Sequence, residues 1–510
     1  MPNDFVSARM SNSSYDNVEN RFMNYKLIND NVVIIRNKDF EMGTYRIRKP
    51  GMYILGENIV FSPNKENEGK PTKKQLEELP RGFQLGFFAA ITIECDNVVL
   101  NMNEHSIAQS KLHSIQQTFY SHIELANTPF IFRQGPAPFP QSGEMASNVI
   151  IKDGFFLRSS HHGIHGNLNK NIILRNLTFH NFGVAAIALN GATNLLIHDI
   201  EIDNSSIDIQ FNSLLSHAIF LKPFIKAIYD DSKEYYIVIA GKKYYITELY
   251  NNITNEIATA IDMIDKEYNG LFKNVNNTYD ANLYGIALSS AGVIVNDFKG
   301  MRNEKSIGNE NIVLDNVTMK NLCSQGTEIK LLTNSEISQE ANDYGSGVVK
   351  GPVGDVFDFE KCITRDGYYK QNVVANSQIA VQQFAKNKGT ANIPSYIINW
   401  VKDGNETIHD IIKKYDLEVV RGRDSMAHIM KGNIGLFISQ GYRMIIDNLV
   451  IDGVDNTSCS YHKKSASSYG ILFTGSKHVM VERHTIKNIH SKTGHAHHVV
   501  YKTENENIKI

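Results

Sequence analysis

Asn148-Val149-Ile150-Ile151, Asn171-Ile172-Ile173-Leu174 and Asn194-Leu195-Leu196-Ile197 repeat one pattern, a leading asparagine and an aliphatic triplet, at a spacing of 23 residues. The triplet recurs as Val98-Val99-Leu100, Ile312-Val313-Leu314, Met444-Ile445-Ile446 and Val479-Met480-Val481, with Asn97 and Asn311 leading two of these. A fixed period in this range marks a stacked repeat architecture. Each unit is too short to bury its own apolar face and must stack on its neighbours.

The remainder of the unit says what stacks. After each triplet comes a charged or polar residue, then usually Asp or Asn, at Asp153, Asn176, Asp199, Asn316 and Asn448, and then an alternating segment such as Leu177-Thr178-Phe179 or Ile200-Glu201-Ile202. Alternation is a period-two strand signal. Another asparagine follows at Asn181, Asn204, Asn321 and Asn488, a residue that tolerates left-handed backbone angles and suits a tight bend. Gly163-Ile164, Ala186-Ile187, Gly435-Leu436 and Gly470-Ile471 supply a third apolar segment. Three short strands per turn, with no helical period between them, predict an all-β solenoid: a right-handed, single-stranded parallel β-helix of eight to ten rungs (~23 residues each), with two α/β insertions.

This pattern resembles the pectin-lyase-like superfamily of parallel β-helices. Pro50-Gly51-Met52-Tyr53-Ile54-Leu55 with Asn58-Ile59-Val60-Phe61, and Ala90-Ile91-Thr92-Ile93 running into Asn97–Ile107, look like the first turns of such domains. The stretch Ile123-Glu124-Leu125-Ala126-Asn127-Thr128-Pro129-Phe130 is similar to β-helix proteins of large DNA viruses. The fold hosts lyases, hydrolases, tailspikes and adhesins alike, so it does not fix an activity.

Composition narrows the partners. A net charge of −2 gives no bulk attraction to nucleic acid. No apolar run approaches the ~20 residues that span a bilayer. Met1 to Tyr25 is polar and lacks a basic stretch followed by an apolar core, so no secretory signal is expected. The expectation is a chain made in the cytoplasm and, on the viral resemblance, incorporated into a virion. Cys95, Cys323, Cys362 and Cys459 are scattered, a distribution that suits buried thiols better than disulfides or zinc. No motif implies a cofactor.

The rhythm divides the chain into a polar segment with leading strands (1–49), a first run of β-helix (50–221), an insertion (222–283), a continuation (284–324), a mainly helical insertion (325–432) and a last run (433–510). In the first insertion, Tyr235–Ile239 and Tyr244–Ile246 read as a hairpin, followed by a helix carrying Ile257, Ile261 and Ile264. In the second, Val401-Lys402-Asp403-Gly404 through Glu406–Leu417 resembles the first half of a LysM glycan-binding module; an ordinary amphipathic helix explains the same pattern.

Stacking places chemistry. Rungs lie ~4.8 Å apart, so residues at equal offsets form columns. Lys152, Arg175 and His198 share one offset and make a positive ladder suited to the carboxylates or sulfates of an acidic glycan; solvated side chains fanned apart are the plain alternative. His180 and Asp203 share another offset, as would a base and its orienting carboxylate. Asp153 and Asp199 sit two rungs apart, or roughly 9–10 Å, near the upper separation for inverting glycoside hydrolysis; Asp at a strand bend more often satisfies turn backbone. His161, His162 and His165, and again His495, His497 and His498, are the weak metal candidates. Of the polygalacturonase signatures, Gly-His-Gly does not occur in the sequence, and the paired Asp, Asp230-Asp231, falls inside the first insertion rather than on a rung.

Three functions remain open: a glycan-interacting structural protein such as a virion surface, fibre or spike component; a polysaccharide lyase or glycoside hydrolase; and a non-catalytic intracellular scaffold. The middle residue of every triplet is aliphatic and should face outward. That apolar stripe, with a last rung at Asn505–Ile510 to cover, predicts a homo-oligomer, most simply a trimer.

Overall fold

The computed structural model describes residues 30–67, 69–80, 86–110, 120–129, 145–205, 232–239, 242–268, 283–291, 307–323, 432–455, 467–491, 496–502 and 505–510, with a few isolated positions between them. The second insertion, including its LysM-like segment, lies outside the described residues apart from Ala380 and its last residue, Gly432.

Two parallel sheets wind around one core. The first runs along ten successive strands from Val32–Ile35 to Glu506–Lys509, with two short strands, Ile59–Phe61 and Ser106–Gln109, paired off that path. The second stacks nine strands, from Tyr45–Ile47 to Ala496–Lys502. The fold is a parallel β-solenoid, and the repeat period is its register: Ile172 pairs with Val149 on one side and Leu195 on the other. Register persists across both insertions, Leu195 pairing with Ile312 and Ile312 with Met444.

The three strands of a turn occupy only two sheets because two of them are continuous. Lys170–His180 passes through Asn176 at φ 51° and resumes as Leu177–Phe179 without leaving its sheet. The bend turns the alternation, so that Ile172, Leu174, Leu177 and Phe179 all enter the central core. The flanking strands do the same with Ile151 and Phe156, and with Ile197 and Ile202. Burying such side chains at each rung, at about 1.5–3 kcal/mol apiece, drives the coil to close.

Asparagine sets the corners. Asn97, Asn148, Asn171, Asn194 and Asn311 all have φ between 56° and 62°, the left-handed region that side chains other than Asn and Asp enter at a cost. Their amides form a ladder: Asn171 Nδ2 donates to Asn148 Oδ1 at 2.7 Å, Asn194 to Asn171 at 2.8 Å and Asn311 to Asn194 at 3.0 Å. Arg443, His478 and Asn507 continue the column at φ 52–56°. Asn181, Asn321 and Asn488 are left-handed bends as well. Asn204 differs: it is buried and its amide clamps the backbone of Phe182, accepting from the nitrogen at 3.0 Å and donating to the oxygen at 3.1 Å.

The outward stripe is less open than the sequence implies. Val99, Ile150, Ile173, Leu196 and Val313 are buried within the single chain; only Ile445 and Met480 are half-buried. In the first insertion, Tyr236–Ile239 and Lys242–Tyr245 form an antiparallel hairpin leading into helix Ile246–Tyr268. Its second strand begins at Lys242, two residues earlier than the sequence pattern suggests. Among the described residues, no helix is long and apolar enough to cross a membrane.

Candidate functional site

The columns read from sequence exist, and their side chains turn toward one another. Register aligns Lys152, Arg175 and His198 and continues the column with Asp315, Asp447 and Glu482. The ladder is therefore basic over three rungs and acidic over the next three. His198 lies between carboxylates, with Nε2 2.8 Å from Asp199 and Nδ1 3.3 Å from Asp315, and Lys152 Nζ is 3.8 Å from Asp153. Arg483 makes a bidentate bond to Asp447. Carboxylates thus stand beside both Lys152 and His198 within the protein.

The expected acid–base pairs are built differently from the sequence expectation. His180 and Asp203 are register partners, yet His180 Nδ1 donates to the backbone oxygen of Asp203 at 2.9 Å rather than to its carboxylate. That carboxylate accepts from Asn321 Nδ2 and the Ser205 backbone. Partial burial raises the Asp203 pKa, but these bonds outweigh it and lower the pKa overall. Asp153 and Asp199 occupy left-handed corners at φ 60° and 53°. Asn176 stands between them and donates to Asp153 at 2.9 Å, while Asn316 donates to Asp199. The column is an Asp/Asn corner ladder, with the Asn176 side chain on the rung between the two carboxylates.

A different set of residues converges on the outer face of the second sheet. Strand His162–Asn167 turns Ile164 into the core. At Gly163 an added Cβ would lie 2.4 Å from the Ala186 oxygen and 2.7 Å from the Phe179 ring, so only glycine fits. His162 and His165 are left facing outward, in the columns of Ala185 and Ala188. Register then runs Arg46, Thr92, Glu124, His165 along one outer column and Ser121, His162 along the next.

Thr92, Glu94, Glu124, His162 and His165 are buried and Arg46 is half-buried, with the charged groups facing one another. Arg46 donates twice to Glu94, at 2.7 and 2.6 Å, and Thr92 Oγ1 donates to the same carboxylate at 2.6 Å. His165 Nδ1 lies 2.7 Å from Glu124 Oε2. The His165 ring stacks on His162 at 5.0 Å, and His161 meets His162 with Nδ1 atoms 3.1 Å apart. Burial holds His162 well below its ordinary pKa and lowers His161 to about 3, with neighbouring histidines adding to both. Both imidazoles are therefore neutral at neutral pH. Beneath this face, His113 and His122 are lowered by burial to about 3 and about 4. His122 donates from Nε2 to the Leu157 oxygen at 2.8 Å.

Among the described residues, no three His, Cys, Asp or Glu side chains form a group able to hold a metal. In the second histidine cluster, His497 stacks on Tyr469 at 5.9 Å and His498 is exposed; His495 lies outside the described residues.

Sequence reasoning overlooked Glu124, Glu94, Arg46 and Asn190. It read the hairpin of the first insertion but not its exposed face, where alternation buries Ile237 and Tyr244 and exposes Tyr236, Val238 and Tyr245. Tyr236 and Tyr245 are directly opposed, ring centroids 5.7 Å apart, and Lys243 Nζ lies 4.3 Å from the Tyr236 centroid. In the same insertion Lys233 Nζ sits 5.2 Å from the Tyr229 ring centroid, and Tyr229 stacks on Tyr250 at 5.1 Å.

The chain matches no protein-family profile and no curated protein. Two solved structures of the surface adhesin PfbA of Streptococcus pneumoniae are similar to it. One aligns over 92% of this chain and 78% of the adhesin, at 10% identity and a TM-score of 0.26. The other covers 93% and 78%, at 9% identity and a TM-score of 0.24. At these scores the likeness carries no argument; the solenoid rests on its own strand pairing.

Proposed function

We propose that the protein is a glycan-binding structural solenoid, a surface, fibre or spike component, in which the β-helix is a scaffold and the first insertion does the recognising. The observation that carries this reading is the exposed face of the hairpin. Tyr236 and Tyr245 offer flat apolar rings with hydroxyl edges, and Lys243 beside them supplies a cation for a carboxylate or sulfate. That combination fits an acidic sugar. The carboxylates and cations of the first sheet support the scaffold side of the reading, since corner amides and neighbouring charges engage them. The reading includes a homo-oligomer joined near Ile445 and Met480, where the outward stripe is least covered.

Titration against acidic and neutral polysaccharides tests it. Tyr236→Ala with Tyr245→Ala should weaken binding at least tenfold, and Lys243→Ala should reduce the preference for the acidic polymer. Binding unaffected by all three substitutions, or no binding to any glycan by the native protein, removes this function.

A further inference from the structure

The column holding Glu124 and His165 does not need polar residues. From the rung after His165 onward, the same outer positions are Ala188, Ala287, Phe437 and Leu472, members of an apolar cluster that also contains Ala185, Ile434 and Tyr469. Polar side chains under the same burial cost free energy unless every atom is paired. Here one is not. Glu124 is 1% exposed, and its Oε2 is shared by His165 Nδ1 at 2.7 Å and Ser121 Oγ at 3.4 Å. Its Oε1 is buried with no partner. A buried carboxylate oxygen without a donor calls for one from outside the protein.

The geometry around His165 gives that site a direction. A carboxylate on Nδ1 holds the imidazole with its proton there and leaves Nε2 as the basic atom. Nε2 faces Asn190 Nδ2 at 3.4 Å, and Asn190 is itself aligned by a 2.8 Å bond to Asn167 Oδ1, which leaves its second N–H for Nε2 or for a ligand. The stacked ring of His162 fixes the plane of His165. A base, an orienting acid and an amide donor are thus held together on adjacent rungs.

We infer that Glu124 and His165 form an acid–base dyad for hydrolysis of a carboxylic ester on a polyhydroxylated carrier, such as an O-acylated sugar. A glycosidic bond needs two carboxylates in separate roles, and the nearby Glu94 is taken up by Arg46 and Thr92. Ester cleavage needs one base that later acts as acid. His165 Nε2 takes a proton from water as the water oxygen bonds to the ester carbonyl carbon. The carbon–alkoxy bond breaks, and the imidazolium returns the proton to the departing oxygen, leaving an alcohol and a carboxylic acid. The Asn190 amide is placed to donate to the carbonyl oxygen as charge develops there, while Glu124 orients the imidazole from the buried side. This site is separate from the hairpin, and its activity is read without glycan binding.

The full chain would be assayed for acetate release from 4-nitrophenyl acetate and from a fully characterised O-acetylated polysaccharide. The native protein should exceed a heat-denatured control. His165→Gln should lose about 10²-fold or more, and Glu124→Gln about as much, because it lets the imidazole adopt the wrong tautomer. Imidazole nitrogen NMR of the native protein provides a second reading that needs no variant: His165 should carry its proton on Nδ1. No turnover above the control, full turnover in His165→Gln, or a proton resident on Nε2 would each overturn the dyad.

Discussion

Replacing Asn171 separates the two things its side chain does. It receives a hydrogen bond from Asn194 and gives one to Asn148, and it holds the backbone at φ 57°. Two such bonds contribute about 1–3 kcal/mol net, at about 0.5–1.5 each. Alanine loses both and adds the left-handed penalty of about 1–2 kcal/mol, so Asn171→Ala should cost about 2–5 kcal/mol. Glycine loses the same bonds but enters this region freely, at an entropic cost of about 0.5–1 kcal/mol. Asn171→Gly should therefore be the milder change, by about 1 kcal/mol. At the neighbouring Thr178, an ordinary strand position in register with Glu201, the order should reverse, because glycine weakens an extended strand relative to alanine. Urea midpoints followed by far-ultraviolet circular dichroism, compared at equal slope, read both pairs. Glycine no better than alanine at Asn171, or the same order at both sites, would refute the corner mechanism.

Further outcomes follow from the core and the buried charges. Leu174, fully buried between Ile151 and Ile197, should lose about 2–5 kcal/mol on truncation to alanine; an unchanged urea midpoint for Leu174→Asp would mean that this face is open. Arg46→Met strands the buried Glu94 carboxylate and should cost about 3–5 kcal/mol, with Glu94→Gln in the same chain recovering part of it; equal melting of single and double variants would deny the coupling. His113, His122 and His161 are neutral in the fold, with pKa values lowered to about 3, about 4 and about 3. The unfolded chain protonates them near 6.5 and so binds more protons below that pH, which makes stability fall as pH drops from about 6.5 toward 4. A melting temperature that stays flat across that interval contradicts their burial.

The repeat was legible because its corners are chemically particular. Few residues besides asparagine hold φ near 57° comfortably, so Asn148, Asn171 and Asn194 mark the turn in the sequence as plainly as in the fold. That two strands of a turn share one sheet was not legible, because a single left-handed residue such as Asn176 bends a strand without ending its hydrogen bonding. Offsets located side chains wherever the period held. Lys152, Arg175 and His198 do align, but their acidic continuation at Asp315 and Asp447 lies across insertions that break the count. Glu124 and His165 are 41 residues apart, close to twice the period and interrupted by a connection, so nothing in their spacing announces that they are neighbours. The hairpin was visible as alternation. Its opposed tyrosines required the register, which shifts when the second strand begins at Lys242.

The register of adjacent rungs underlies every column of the solenoid, and a cross-rung disulfide measures it directly. Thr178 and Glu201 are partners on neighbouring parallel strands and face outward, at the ~4.8 Å strand spacing that a disulfide can bridge. Thr178→Cys with Glu201→Cys should close within the chain under mild oxidation, with no loss of structure. Thr178→Cys with Asp203→Cys, two residues further along the same strand, should stay reduced, since its Cα separation is about 8 Å. Closure of the second pair in place of the first would contradict the parallel solenoid.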